Sequence, residues 1–230
     1  MGISIVIPAY NEEANLEVVV RQTLLVLPEI SPDYELILVD DGSTDGTGVI
    51  ADWLAAEEEH IHVIHHPHNM GLGAALRTGF SWVRYELVSS LPADGQIAPA
   101  DMKRFAEAME GVDVVTGYFT HREDAFYRDI LTWGLRLFMR VLFGKLPRLQ
   151  GARMFRRELL DGIELYSTTG LMNLELIVKA SRKGCKFREI PIEALPRMSG
   201  NSKVTNTTTI LKTMLEMLKL RWSLLVTGFR

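Results

Sequence analysis

The sequence predicts an α/β fold built on a mostly parallel central sheet, and three observations carry that expectation. Short apolar runs at 3–7 and 36–39 read as strands covered on both faces. Helix-period segments follow them, and strand and helix alternate through residue 110. Polar clusters stand where successive strands end, which is where an open α/β sheet holds its ligands.

In chain order, the first strand stops at Pro8 and gives way to Pro8-Ala9-Tyr10-Asn11-Glu12-Glu13. Asn11 is the expected cap of a helix with Glu12 and Glu13 in its first turn, continuing through Leu16, Val19, Val20, Leu24 and Leu27. The second strand, 35–39, runs into Asp40-Asp41-Gly42-Ser43-Thr44-Asp45, with Ser43 the expected N-cap of a helix containing Ile50, Trp53 and Leu54. A third strand at 62–65 leads through a loop at 66–73 to a helix bearing Leu76, Phe80 and Val83. The fourth, 86–91, ends at Pro92-Ala93-Asp94-Gly95-Gln96.

Further strands are expected at 113–116, 152–155 and 186–190. An amphipathic helix at 171–183 is closed by Gly184, and a last helix spans 207–220. Glu175 lies on the first of these, where most helix glutamates are solvated. The segment 126–143 is rich in Leu, Trp, Phe and Met, with Arg128, Arg136 and Arg140 near one edge. That pattern fits a helix lying in a membrane interface, and equally a core helix with a charged outer edge. The tail at 222–229 is too short to span a bilayer and long enough to rest on one.

Composition narrows the function classes. At 230 residues the chain can bury a full core. Its single cysteine, Cys185, excludes a disulfide framework and a cysteine zinc site, so a reducing, cytoplasmic setting is expected. No basic-then-apolar leader opens it, and no run reaches the ~18 apolar residues of a membrane span. The net charge of −4 hides a strong polarity. Residues 1–120 hold 19 acidic and 5 basic side chains, whereas 121–230 hold 10 and 20, a split of −14 against +10. A basic second half suits an anionic acceptor or an anionic membrane surface. Nothing resembles the aromatic-interleaved basic ladder of a nucleic-acid reader.

Three strand ends on one rim carry polar groups: Tyr10 to Glu12, Asp40 with Asp41, and Asp94 with Gln96. Each alone reads equally as a turn or a cap. The trio His65, His66 and His68 is a poor metal motif, because Pro67 breaks its spacing and no cysteine assists. Gly71-Leu72-Gly73 follows a loop rather than a first strand, which argues against a dinucleotide fingerprint.

Taken together, the order and spacing of these motifs resemble glycosyltransferase family 2, and within it the dolichol/polyprenyl phosphate mannosyltransferase branch. The resemblance rests on Pro-Ala-Tyr-Asn-Glu at 8–12, Val-Asp-Asp-Gly-Ser-Thr-Asp at 39–45, Gly-Leu-Gly-Ala-Ala-Leu at 71–76, Ala-Asp-Gly-Gln at 93–96 and Arg-Met-Ser-Gly-Asn-Ser-Lys at 197–203. It implies a GT-A (Rossmann-like) three-layer fold with C-terminal interfacial helices. A catalytic domain would occupy 1–205, with a nucleotide-binding half at 1–110 and an acceptor-binding half at 111–205; an amphipathic helix and tail would follow at 206–230.

The implied activity is inverting transfer of a hexose such as mannose from a GDP- or UDP-linked sugar to a polyprenyl phosphate. It would take place at the cytoplasmic face of a membrane, to which a separate subunit could anchor the chain. Pro8, Ala9, Tyr10, Glu12 and Asp41 would line the nucleoside pocket, with Gly71 and Gly73 allowing close backbone approach to the ligand. Asp94 and Gln96 would hold Mg2+ or Mn2+, whose chemistry suits oxygen donors and a diphosphate. Arg197, Ser202 and Lys203, with Arg122 and Arg128, would hold the donor and acceptor phosphates. Asp94, Arg197 and Lys203 would carry catalysis.

The chain departs from the branch at three points. Pro92 replaces the first carboxylate of the usual Asp-Ala-Asp, which bears on metal affinity and favours as one alternative a sugar-nucleotide-binding protein without turnover; a family member with another acceptor is the second alternative. Thr132-Trp133-Gly134 lacks the arginine of Ser-Arg-Gly, and Gln150-Gly151-Ala152 replaces Ser-Gly-Phe.

Overall fold

The computed structural model describes residues 1–120, 138–148, 151–196 and 207–226, with side chains of the last segment from 213 onward. Seven strands form one sheet: β1 Ile3–Ala9, β2 Tyr34–Asp40, β3 Ile61–His65, β4 Leu87–Ser90, β5 Val114–Phe119, β6 Arg153–Arg156 and β7 Phe187–Ile192. The helices are α1 Leu16–Ile30, α2 Thr47–Glu57, α3 Leu72–Trp82, α4 Asp101–Ala108, α5 Met172–Arg182 and α6 Thr207–Val226. Residues 138–143 are also helical, and a 3-10 turn occupies Arg157–Gly162.

The strand order is β3-β2-β1-β4-β6-β5-β7. The pairs β1–β2, β1–β4, β2–β3 and β5–β7 are parallel, whereas β6 runs antiparallel to both its neighbours. Because β1 and β2 are adjacent and parallel, their carboxyl ends open side by side on one rim.

Alternation along the strands builds two cores. Ile5 and Ile7 of β1, with Leu36 and Leu38 of β2, point to the face covered by α1, α2 and α4. Val6, Ile37 and Val39 point to the opposite face, under Ala75, Leu76 and Phe80 of α3 and Met172, Leu176 and Ile177 of α5. That is why these strands read as unbroken apolar runs: neither face is left to water. Phe155 of β6 packs edge-on to Phe80, with ring centroids 5.3 Å apart.

A third apolar cluster lies outside the sheet. Leu171, Leu174 and Val178 of α5 meet Met217, Leu220 and Leu224 of α6, with Phe138, Met139 and Leu142 packed against them. Gly184, at φ 76°, ends the turn after α5 as expected of a C′ glycine. Helix α6 runs to Val226, past the expected end at 220, because Leu224 adds another buried turn of the same stripe. The expected helix at 126–143 is described only from 138, so Arg128 and Arg136 lie outside the described residues.

Candidate active site

The loops after β1 and β2 are stitched together by reciprocal hydrogen bonds. The Ser43 hydroxyl accepts the Asn11 N–H at 2.9 Å, and the Thr47 hydroxyl accepts that of Glu12 at 2.8 Å. In return Asn11 Oδ1 accepts the Thr44 N–H at 2.8 Å, and Glu13 Oε2 accepts that of Gly46 at 2.8 Å. Asn11 adopts φ 51°, a left-handed conformation that asparagine tolerates. The expected capping roles are therefore corrected. Helix α1 starts only at Leu16, α2 starts at Thr47, and Asp45 Oδ1 takes the N–H and hydroxyl of Thr47 at 3.0 and 2.5 Å. Asn11 and Ser43 turn to the neighbouring loop because adjacent parallel strands bring its backbone within reach.

The two adjacent aspartates part company here. Asp40 Oδ1 accepts the Ser43 N–H at 3.0 Å, and its Oδ2 lies 3.1 Å from His65 Nδ1. Burial pushes the Asp40 carboxyl up, but the bonds from Ser43 and His65 together outweigh it and hold the group below its ordinary value. His65 also reaches Asp52 at 2.9 Å, and hydrogen bonds to Asp52 and then Asp40 raise its pKa against the effect of burial. Asp41 faces the other way. Its Oδ1 accepts the Met70 N–H at 2.9 Å and lies 2.7 Å from His66 Nδ1, while its Oδ2 accepts the Gly71 N–H at 2.8 Å. Oδ2 thus keeps one acceptor position. With His65 and His66 spent on carboxylates, no group of three or more potential metal ligands gathers among the described His, Cys, Asp and Glu residues.

Beside this rim opens a cavity of about 810 Å³. Its wall brings together Pro8, Ala9, Tyr10, Glu12, Asp41 and Gly71 from one side and Pro92, Ala93 and Asp94 from the end of β4. Gly73 is not on that wall. Its N–H donates to the Thr168 carbonyl at 3.0 Å, and a Cβ there would lie 2.4 Å from the Ser167 carbonyl oxygen, so its missing side chain admits the 167–169 backbone rather than a ligand. Gln96 also stands off the wall, donating its N–H to Asp94 Oδ1 at 3.1 Å around Gly95 at φ 72°. The Asp94 carboxylate and the Gln96 side-chain amide in one tight turn are hard oxygen donors. One carboxylate completed by substrate phosphates and water is a set that Mg2+ uses, so the residues fit such an ion. Pro92 adds no ligand. Arg122, Arg128, Arg197, Ser202 and Lys203 lie outside the described residues.

The far wall consists of residues that the motifs did not single out: Thr168 to Gly170, Asn173, Arg153, and Met217 of α6. Two buried carboxylates hold it. Glu175 accepts the N–H groups of Tyr166 and Ser167 at 3.1 and 2.9 Å and pairs with Lys179 at 2.7 Å. Both side chains of the pair are almost wholly enclosed, 2% exposed for Glu175 and 3% for Lys179, and Lys179 also donates to the Glu164 carbonyl at 2.5 Å. Glu216 of α6 accepts the hydroxyls of Thr168 and Thr169 at 2.9 and 2.6 Å. Burial pushes its carboxyl up, but those bonds, Thr169 foremost, outweigh it and leave the pKa lowered. The i,i+4 Glu-Lys spacing in α5 was the available signal, and it reads as a solvated surface pair unless the helix is known to be enclosed on all sides.

This sheet, with an acid-bearing cavity at its strand ends, has close structural counterparts. Glucosyl-3-phosphoglycerate synthase from Mycobacterium tuberculosis superposes with a TM-score of 0.71 at 22% identity, over 94% of this chain and 79% of the other. Another structure of that enzyme, with a TM-score of 0.69, contains Mn2+, uridine diphosphate and glucosyl-3-phosphoglycerate. The architecture is that of the GT-A glycosyltransferases. The chain belongs to glycosyl transferase family 2, whose profile matches residues 4–164, and it is a glycosyltransferase.

Among curated relatives, the polyprenol monophosphomannose synthase of Mycolicibacterium smegmatis is 33% identical over 216 residues, covering 87% of this chain and 80% of the relative. The undecaprenyl-phosphate mannosyltransferase of Micrococcus luteus is 30% identical over 218 residues, covering 89% and 88%.

Two outcomes follow from this geometry. Glu175→Gln keeps an acceptor for Tyr166 and Ser167 but strands the Lys179 charge, so urea unfolding is expected to show a loss of about 3 kcal/mol or more. Adding Lys179→Met to that variant is expected to recover most of the loss, and a single variant as stable as the parent would dismiss the pair as a support. The His65 clasp has the opposite pH sense from a carboxylate. Its raised folded-state pKa contributes stability that is complete below the imidazole's ordinary value near ~6.5 and fades as pH rises through the folded value. The stability difference between the parent and His65→Gln, measured from pH 5 to 9, is expected to shrink with rising pH; a flat difference would contradict the clasp.

Proposed function

We propose that this glycosyltransferase moves mannose from a nucleotide sugar to a polyprenyl phosphate, with inversion at the anomeric carbon, at the cytoplasmic face of a membrane. The observation that carries the reading is the pair of curated mannosyltransferase relatives, each matched over most of both chains. Their identities lie above the range in which likeness speaks for fold alone. The cavity supports it chemically: Tyr10 offers a ring to a base, and Asp41 Oδ2 offers an acceptor to a ribose hydroxyl or base N–H.

A phosphate monoester has its second pKa near ~6, so the acceptor arrives as a nucleophile and needs no general base. One of its oxygens forms the bond to the anomeric carbon as the bond from that carbon to the donor diphosphate breaks, and the nucleoside diphosphate leaves with the electron pair. The chain's work is positioning and exclusion of water. Asp94 and Gln96 would hold Mg2+ or Mn2+, which would neutralise the diphosphate as it leaves. Leu72, Leu171, Leu174, Met139 and Met217 give the cavity an apolar flank suited to the first prenyl units.

Helix α6 supports the membrane part of the reading. Its stripe of Met217, Leu220 and Leu224 is buried, yet Met214, Leu215, Leu218, Trp222, Leu225 and Val226 are exposed on the opposite arc, Trp222 by 70%. At about 100° per residue, Lys219 and Arg221 fall on the two margins of that arc, where cations meet anionic headgroups. Among the described residues no helix is long and apolar enough to cross a membrane.

The test is incubation of the protein with GDP-mannose, in parallel with UDP-glucose, together with Mg2+ and a short polyprenyl phosphate, read by mass spectrometry of the lipid fraction. A mannosyl-lipid product is expected, with Asp94→Ala lowering kcat/KM by about 100-fold or more. Nucleotide binding without product on any acceptor would replace the reading by the non-catalytic one that Pro92 favours. Trp222→Ser with Leu225→Ser is expected to weaken co-sedimentation with phosphatidylglycerol vesicles while leaving nucleotide affinity unchanged; undiminished sedimentation would remove α6 from the membrane contact.

A further inference from the structure

Three buried side-chain polar atoms among the described residues have no hydrogen-bond partner: Arg153 Nε, Asn173 Oδ1 and Thr116 Oγ1. Arg153 links the other two. Arg153 and Asn173 both line the cavity, and Thr116 stands directly opposite Arg153 in the β5–β6 register, so their side chains rise from the same face of the sheet. Folded proteins leave few such atoms unmet, and a cluster of them beside a cavity marks groups that await a ligand.

Arg153 is the demanding member. The residue is 7% exposed, one terminal nitrogen donates to the Gly151 carbonyl at 2.9 Å, and among the described residues no carboxylate pairs with it. Burial lowers its pKa to about 10, which still leaves it cationic at neutral pH. The carboxylates nearby are otherwise engaged. Glu12 accepts the side-chain amide of Asn15 at 2.8 Å, Asp41 serves Met70, Gly71 and His66, Asp94 is turned onto its own loop by Gln96, and Pro92 brings no charge to the wall. A buried, hydrogen-bonding cation without a counter-ion is costly unless an anion enters with the substrate.

We infer that Arg153 forms a phosphate subsite in the cavity wall, donating Nε–H to a phosphate oxygen, with Asn173 Oδ1 accepting a hydroxyl of the same bound substrate. The planar guanidinium suits that task, since a phosphate can be held through parallel N–H groups. The inference rests on the glycosyltransferase reading only for the origin of the phosphate, either the donor diphosphate or the acceptor monophosphate. It is independent of the cation site, because the arginine supplies its own positive charge.

The test is calorimetric titration in EDTA of the full chain and of Arg153→Met and Arg153→Lys, with inorganic pyrophosphate, GDP and a short polyprenyl monophosphate as separate probes. Thermal melts of the free proteins run alongside. Arg153→Met is expected to melt at or above the parent temperature, since it removes an uncompensated buried charge. It is also expected to bind pyrophosphate about 10- to 100-fold more weakly, with Arg153→Lys in between.

A matching loss for GDP alone assigns the subsite to the donor; a loss for the lipid phosphate alone assigns it to the acceptor. Equal affinity of parent and variant for all three probes, or no binding of any probe by the parent, overturns the subsite. So does a lower melting temperature with unchanged binding, which is the signature of a structural arginine. Arg153-dependent pyrophosphate binding without GDP binding or transfer would instead sink the glycosyl-transfer reading and leave the subsite standing.

Discussion

Irregular segments that wall a buried cavity carry backbone N–H groups with no ladder to join, and in this protein side-chain carboxylates take them. Asp41 accepts those of Met70 and Gly71, Glu175 those of Tyr166 and Ser167, and Glu216 that of Thr168 together with the hydroxyls of Thr168 and Thr169. The three are linked through the backbone, because Gly73 donates to Thr168 directly beneath the segment that Glu175 and Glu216 secure. Removing any one acceptor would leave donors unmet and loosen the next segment along. The rim is therefore a chain of restraints running from β2, through α3, to α5 and α6.

That arrangement alters the meaning of the acidic first half. Of 19 carboxylates in residues 1–120, three line the cavity, Glu12, Asp41 and Asp94, and Asp41 is committed to the 70–71 backbone; off the wall, Asp40 is committed to Ser43 and His65 and Asp45 to Thr47. The negative charge available to a ligand is much smaller than composition suggests. In the same wall a buried arginine stands without a counter-ion among the described residues. The cavity wall still carries more acidic than basic side chains, Glu12, Asp41 and Asp94 against Arg153, so an anionic group of a guest is met at the arginine rather than by the wall as a whole.

Much of this was legible in the sequence. The strand positions of β1 to β4 followed from unbroken apolar runs, and the polar ends of β1, β2 and β4 do share one cavity, through Tyr10, Glu12, Asp41 and Asp94. What escaped is what depends on distant segments meeting. Nothing in Arg153-Met154-Phe155-Arg156 says that this short strand inserts antiparallel between β4 and β5, and only that insertion brings Arg153 to the cavity wall. Asn11 and Ser43 are good caps by composition, yet their side chains bond across two loops because parallel pairing puts those loops side by side. Gly73 looked like a ligand-facing glycine until the 167–169 backbone occupied the space above it. Propensity sees neighbours in sequence, and each of these residues is governed by neighbours in space.

Helix α6 joins the two halves of the molecule's chemistry. One side presents Glu216, Met217 and Thr213 to the cavity region, fixing Thr168 and Thr169 and closing the wall. The other side exposes a broad apolar arc ending in Trp222, Leu225 and Val226. A helix with apolar groups on both faces has a weak overall amphipathic signal, so periodicity alone describes it poorly. Its two faces make sense together for an enzyme whose acceptor has a phosphate head and a prenyl tail. On the proposed reading, the face offered to lipid and the face that shapes the cavity stand a single helix diameter, ~10 Å, apart, so a lipid phosphate would reach the site without leaving the membrane surface entirely.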